Sequence, residues 1–110
     1  MPRYAAVDIG SNSVRMQAAE VVAGGPLQIL ASDREVTRLG ESVFSAGRIS
    51  EDAMSLVCQV LKRFAAAYTK LDIMGVRAVA TSAVRDASNQ AEFIQRASEA
   101  TGVDFGFLLG

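Results

Sequence analysis

Histidine is missing from this 110-residue sequence. Its absence removes the commonest general base, and any imidazole-based metal site, from these residues. A single cysteine, Cys58, excludes an intramolecular disulfide, and its place among apolar residues at helical spacing marks it as a small buried hydrophobe. No apolar run reaches the ~18 residues needed to span a bilayer, and no basic segment followed by a long apolar one opens the chain. The expectation is a cytoplasmic protein with no membrane partner. Charge of one sign is lacking too, with 11 basic residues against 12 acidic ones. A generic electrostatic grip on nucleic acid is therefore not expected. Lysine is scarce: Lys62 and Lys70 are the only two, and the other basic residues are arginine. Arginine suits bidentate contact with phosphate or carboxylate, although a GC-rich genome would raise its share with no function attached.

What is present is 50% hydrophobic, enough for one domain with a real core. The organising stretch is residues 4 to 15, YAAVDIGSNSVR. Tyr4 to Ile9 reads as a buried strand, and Gly10, Ser11, Asn12 and Ser13 read as a tight turn into a second strand. Asp8 thus stands where a strand gives way to a loop rich in backbone N–H groups and short polar side chains. A phosphate needs fixed donors of this kind, with a carboxylate nearby to hold a divalent cation. The same residue types also build ordinary hairpin turns, and taken alone the spacing favours that plainer reading.

The second strand runs over 14–22, with Val14, Met16 and Ala18 on one face and Arg15, Gln17 and Ala19 on the other. Gly24, Gly25 and Pro26 make a reversal, and Leu27 to Glu35 has the apolar content of a third strand. Residues 36–49 carry two glycines and no sustained period, so they read as a long loop with room for one short turn of helix. Ser50 is a good N-cap for an amphipathic helix over 51–70, whose inward stripe is Ala53, Val57, Val60, Leu61, Phe64, Tyr68 and Leu71. Met74 to Ala80 is a short strand, made parallel to a neighbour by the helical crossover that precedes it. Asn89 with Glu92 forms a capping box for a helix over 90–101, Gly102 stops it, and Val103 to Leu109 is a last apolar strand. The order β-β-β-α-β-α-β is that of an α/β domain with a mixed five-stranded sheet and flanking helices.

Three segments in that order, VDIGSNSVR, TRLGES and ATSAVRDASN, closely resemble successive signatures of the exopolyphosphatase / guanosine pentaphosphate phosphohydrolase (Ppx/GppA) family. The resemblance covers essentially all 110 residues. It implies a ribonuclease-H-like domain of the actin-like ATPase superfamily, and a magnesium-dependent hydrolase releasing terminal phosphate from inorganic polyphosphate or guanosine pentaphosphate. It places Asp8 near a metal-bound phosphate, makes Gly10, Ser11, Asn12 and Ser13 the first phosphate-binding loop, and aims Arg38 and Arg85 at phosphate oxygens, with Arg85 in the catalytic role. Read without the resemblance, Arg85 is a surface arginine paired with Asp86, Arg38 a loop arginine paired with Glu35 or Glu41, and Arg15 a side chain alternating outward from a strand.

Family members carry a second domain, a glutamate-bearing segment that supplies the base, and a second phosphate loop. This sequence stops at Gly110 without them. The expectation is a single N-terminal domain, inactive alone and self-associating into homo-oligomers through the apolar residues Phe105, Phe107, Leu108 and Leu109. Two other functions are compatible with the residues: a phosphate-binding or assembly module without catalysis, and a nucleotide-binding fragment of the actin or sugar-kinase type. The latter accounts for the first segment but not for the other two.

Overall fold

The computed structural model describes residues 2–80, 82–102 and 105–107. The chain opens with a meander of β1 (Arg3–Ile9), β2 (Ser13–Glu20) and β3 (Gln28–Val36), followed by helices α1 (Leu39–Ala46) and α2 (Glu51–Tyr68). A 3-10 turn at Thr69–Leu71 leads into β4 (Gly75–Ala80), and then come the short α3 (Ser82–Arg85), α4 (Gln90–Thr101) and β5 (Phe105–Phe107). The five strands form one sheet in the order β3-β2-β1-β4-β5. β1 is antiparallel to β2 and parallel to β4, as the helical crossover requires.

Period-two alternation sorts the sheet into two different faces. On one face Val7, Ile9, Val14, Met16, Ala18 and Ala80 are buried against the helices. Val57, Leu61 and Phe64 of α2 and Phe93 of α4 close over them with side chains fully out of solvent. Each large side chain buried this way contributes roughly 1.5–3 kcal/mol, so this layer supplies most of what holds the domain together. The other face leaves Tyr4, Ala6, Arg15, Gln17, Ser32, Arg34 and Arg77 exposed or partly exposed among the described residues.

The expected helix over 51–70 is α2 with its 3-10 extension, and Ser50 caps it, its side chain accepting from the Ala53 N–H at 3.2 Å. Three local expectations fail. Residues 36–49 contain a full helix, α1, because the two glycines bracket it: Gly40 lies in the first turn and Gly47 is the left-handed stop, donating to the Val43 carbonyl at 2.7 Å. Asn89 makes no capping bond to α4. Its amide instead accepts from the Ile49 N–H and donates to the Ile49 C=O, both at 2.9 Å. Cys58 is half-buried rather than buried, since it sits at the edge of the α2–α4 contact; burial pushes its thiol pKa up while the Arg96 guanidinium pulls it down. Of the last expected strand, Phe105–Phe107 is β5, parallel to β4. The rest of that strand, and the side chains on which the expectation of self-association rests, lie outside the described residues.

Candidate phosphate site

Parallel pairing of β1 with β4 sets Ile9 opposite Ala80, so the segments leaving both strands emerge at one end of the sheet. The Gly10–Ser13 turn follows β1 there, and α3, which ends in the half-buried Arg85, follows β4. β3 ends at the same place, with Val36 opposite Ser13. The turn is closed by the Gly10 N–H donating to the Ser13 carbonyl at 2.9 Å. From outside the turn, the Thr37 and Arg38 N–H groups both donate to the Asn12 carbonyl at 3.0 Å, and the Gly40 N–H donates to the Ser11 carbonyl at 2.8 Å. Arg38 holds the left-handed conformation (φ 55°) that brings these amides together, and its exposed guanidinium pairs loosely with Glu41 at 3.9 Å.

Asp8 is the side chain with unspent capacity. Its Oδ1 is buried and has no hydrogen-bond partner among the described residues, a condition that costs about 1–3 kcal/mol when nothing fills it. The Thr37 hydroxyl shares that condition. Asp8 also lines a groove of about 680 Å³ on the open sheet face, with Ala6, Arg15, Gln17, Ser32 and Arg34. Register explains the grouping: Asp8 stands opposite Arg15, and Arg15 opposite Arg34, so one row crosses three strands. Like charges facing each other across a ladder destabilise it, and neither Arg15 nor Arg34 has an ion pair among the described residues. The row therefore carries two arginines able to accept an anion. Arg15 reads from sequence as an ordinary outward residue, and Arg34 draws no notice; the signal that finds them is their pairing, which becomes visible only once the hairpin register is known.

Asp8 and the loop are thus contiguous, Arg38 is tied to the loop through its backbone, and Arg85 stands at the same end of the sheet. No cluster of three or more acidic or sulfur side chains suited to a metal is found among the described residues. A lone carboxylate with a free oxygen nevertheless fits magnesium, which keeps several waters and completes its shell with substrate phosphates.

The five-stranded sheet in the order β3-β2-β1-β4-β5, with helices packed on one face, has the actin-like ATPase fold, and EutJ from Carboxydothermus hydrogenoformans matches it at a TM-score of 0.52, 15% identity, 98% coverage of this chain and 36% of that one. The model of the Ppx/GppA phosphatase family matches residues 18–109. The Aquifex aeolicus member of the Ppx/GppA protein family is 36% identical with a TM-score of 0.90, over 97% of this chain and 35% of that one. An exopolyphosphatase from Cytophaga hutchinsonii is 26% identical with a TM-score of 0.89, over 96% of this chain and 34% of that one. The chain belongs to the Ppx/GppA phosphatase family. It spans about a third of the length of these solved relatives.

Proposed function

We propose that these residues form the phosphate-gripping domain of a magnesium-dependent phosphoanhydride hydrolase, one that releases terminal phosphate from inorganic polyphosphate or guanosine pentaphosphate. The observation that carries this reading is the buried, unpartnered Asp8 oxygen beside a turn whose Ser11 and Asn12 N–H groups have no acceptor among the described residues. An anion with a divalent cation satisfies both deficits at once. Asp8 holds the cation, the turn amides take phosphate oxygens, and Arg38 and Arg85 neutralise charge on the group being transferred. Bound magnesium supplies further neutralisation of phosphate charge. Arg15 and Arg34 are placed to hold more distant phosphates of a long substrate.

The chain itself contributes binding and charge, not proton abstraction. It has no histidine, Asp8 faces the cation, and the neighbouring carboxylates Glu41 and Asp33 are paired with Arg38 and Arg63, so we assign the base that activates water to residues outside these. A positioned base contributes about 10²–10⁴-fold, and with it missing the 110 residues alone release phosphate at background. A coupled phosphate-release assay with magnesium checks this on both substrates, comparing the chain with a longer family protein that contains it. Activity in the longer protein, lost on Asp8→Asn or Arg85→Ala, is the expected result. Turnover by the chain within tenfold of the longer protein would overturn the division of labour.

A further inference from the structure

We infer that the Thr37–Gly40 segment is a brace that sets the direction of the phosphate-loop amides, with Gly40 its indispensable member. The inference rests on the phosphate reading above and adds a positioning element to it. All three bonds from the brace end on loop carbonyls, two on Asn12 and one on Ser11. No peptide bond among the described residues is cis, so within each planar unit of the loop the N–H points opposite to its C=O. Drawing the Ser11 and Asn12 carbonyls toward α1 therefore turns the Asn12 and Ser13 N–H groups away from it. The Asn12 N–H so exposed meets no acceptor among the described residues.

Gly40 makes this possible by having no side chain. A Cβ there would lie 3.1 Å from the Ser11 Cβ and 3.3 Å from the Ser11 carbonyl oxygen, so even alanine must push the loop away or stretch the 2.8 Å bond. The brace is itself anchored: Leu39, between Arg38 and Gly40, is fully buried, and Arg38 is held at φ 55° where side chains other than glycine rarely settle. Backbone strain next to a ligand loop persists only where the surroundings over-determine it. Here three hydrogen bonds and a buried leucine do so.

The test is a titration of the chain with inorganic phosphate and magnesium, read at the Asn12 and Ser13 amide signals in NMR spectra. Gly40→Ala should weaken phosphate roughly five- to tenfold, the worth of one backbone hydrogen bond. Gly47→Ala is the control on the same helix: φ is 71° there with open space around it, so it strains the fold without touching the loop, and the affinity should stay at the wild-type value. Equal affinity in Gly40→Ala and wild type overturns the brace, and so does an equal drop in both variants, which would be general loosening of α1. A second measurement needs no variant to fold. Coupling is reciprocal, so saturating phosphate should slow hydrogen exchange of the wild-type Thr37, Arg38 and Gly40 amides; unchanged exchange overturns the inference. If the wild-type loop amides ignore phosphate altogether, the site reading falls and the brace with it. If they respond and only the Gly40 effect is missing, the site stands and the brace alone falls.

Discussion

At the scale of single residues, Asn89 shows how a local sequence signal can be spent elsewhere. Asn89 and Glu92 have capping-box spacing, yet the Asn89 amide reaches across to Ile49, which is fully buried, and satisfies both its N–H and its C=O. A buried backbone pair left open costs more than a helix end that water can reach, so the long-range bond wins. Asn89→Ala should therefore destabilise the domain by about 1–3 kcal/mol in urea unfolding. Asn89→Asp separates the two roles. Aspartate caps as well as asparagine, but it cannot donate to the Ile49 carbonyl, so it too should destabilise. Wild-type stability in Asn89→Asp would return the residue to an N-cap. Asp8 is the opposite case: its place at a strand end was legible in the apolar run before it, whereas its unpartnered oxygen is a property of packing that no spacing reveals.

Among the elements, α1 was the least legible and α2 the most. α2 has a capping serine, acidic residues in its first turn and a continuous apolar stripe, so local and tertiary preferences agree. α1 presents only Leu39 and Val43 inward and leaves Phe44 95% exposed, which gives too short a stripe for a period to register. The edge strand β3 is tied to α2 by charge. Arg63 donates to Asp33 from Nε at 2.8 Å and from an Nη at 3.0 Å, and to Glu35 at 2.9 Å. This fork holds the Asp33 carboxyl below its ordinary range, chiefly through the hydrogen bonds from Arg63. The sign follows: a carboxylate lowered on folding stabilises above its unfolded pKa, and that contribution is lost as pH falls through the folded value. Both side chains are about a third or more exposed, so solvent screening limits the contribution to roughly 1 kcal/mol or less. The stability difference between wild type and Asp33→Asn should be constant from neutral pH to about pH 5 and shrink below about pH 4. A difference undiminished at about pH 2.5 would show that the effect is not the ion pair.

For the molecule as a whole, the succession of elements was readable from apolar runs and helical spacing, and the two faces of β2 from its alternation, whereas the order of the strands in the sheet and the open face opposite the helices emerge only from tertiary pairing. No helix among the described residues is long and apolar enough to cross a membrane. The arginine row on the open face was not readable, since Asp8, Arg15 and Arg34 come together only through the register of two hairpins, one of which carries an irregularity between Ala18 and Ala19. The central claim is that this end of the sheet grips phosphate with magnesium. A crystal structure of the chain grown with magnesium and pyrophosphate tests it directly. The account predicts a cation coordinated by Asp8 and a phosphate oxygen within hydrogen-bond reach of the Asn12 N–H, with the Thr37–Gly40 bonds to the loop intact. Pyrophosphate ordered at another surface, with Asp8 satisfied by the protein's own donors, would contradict it.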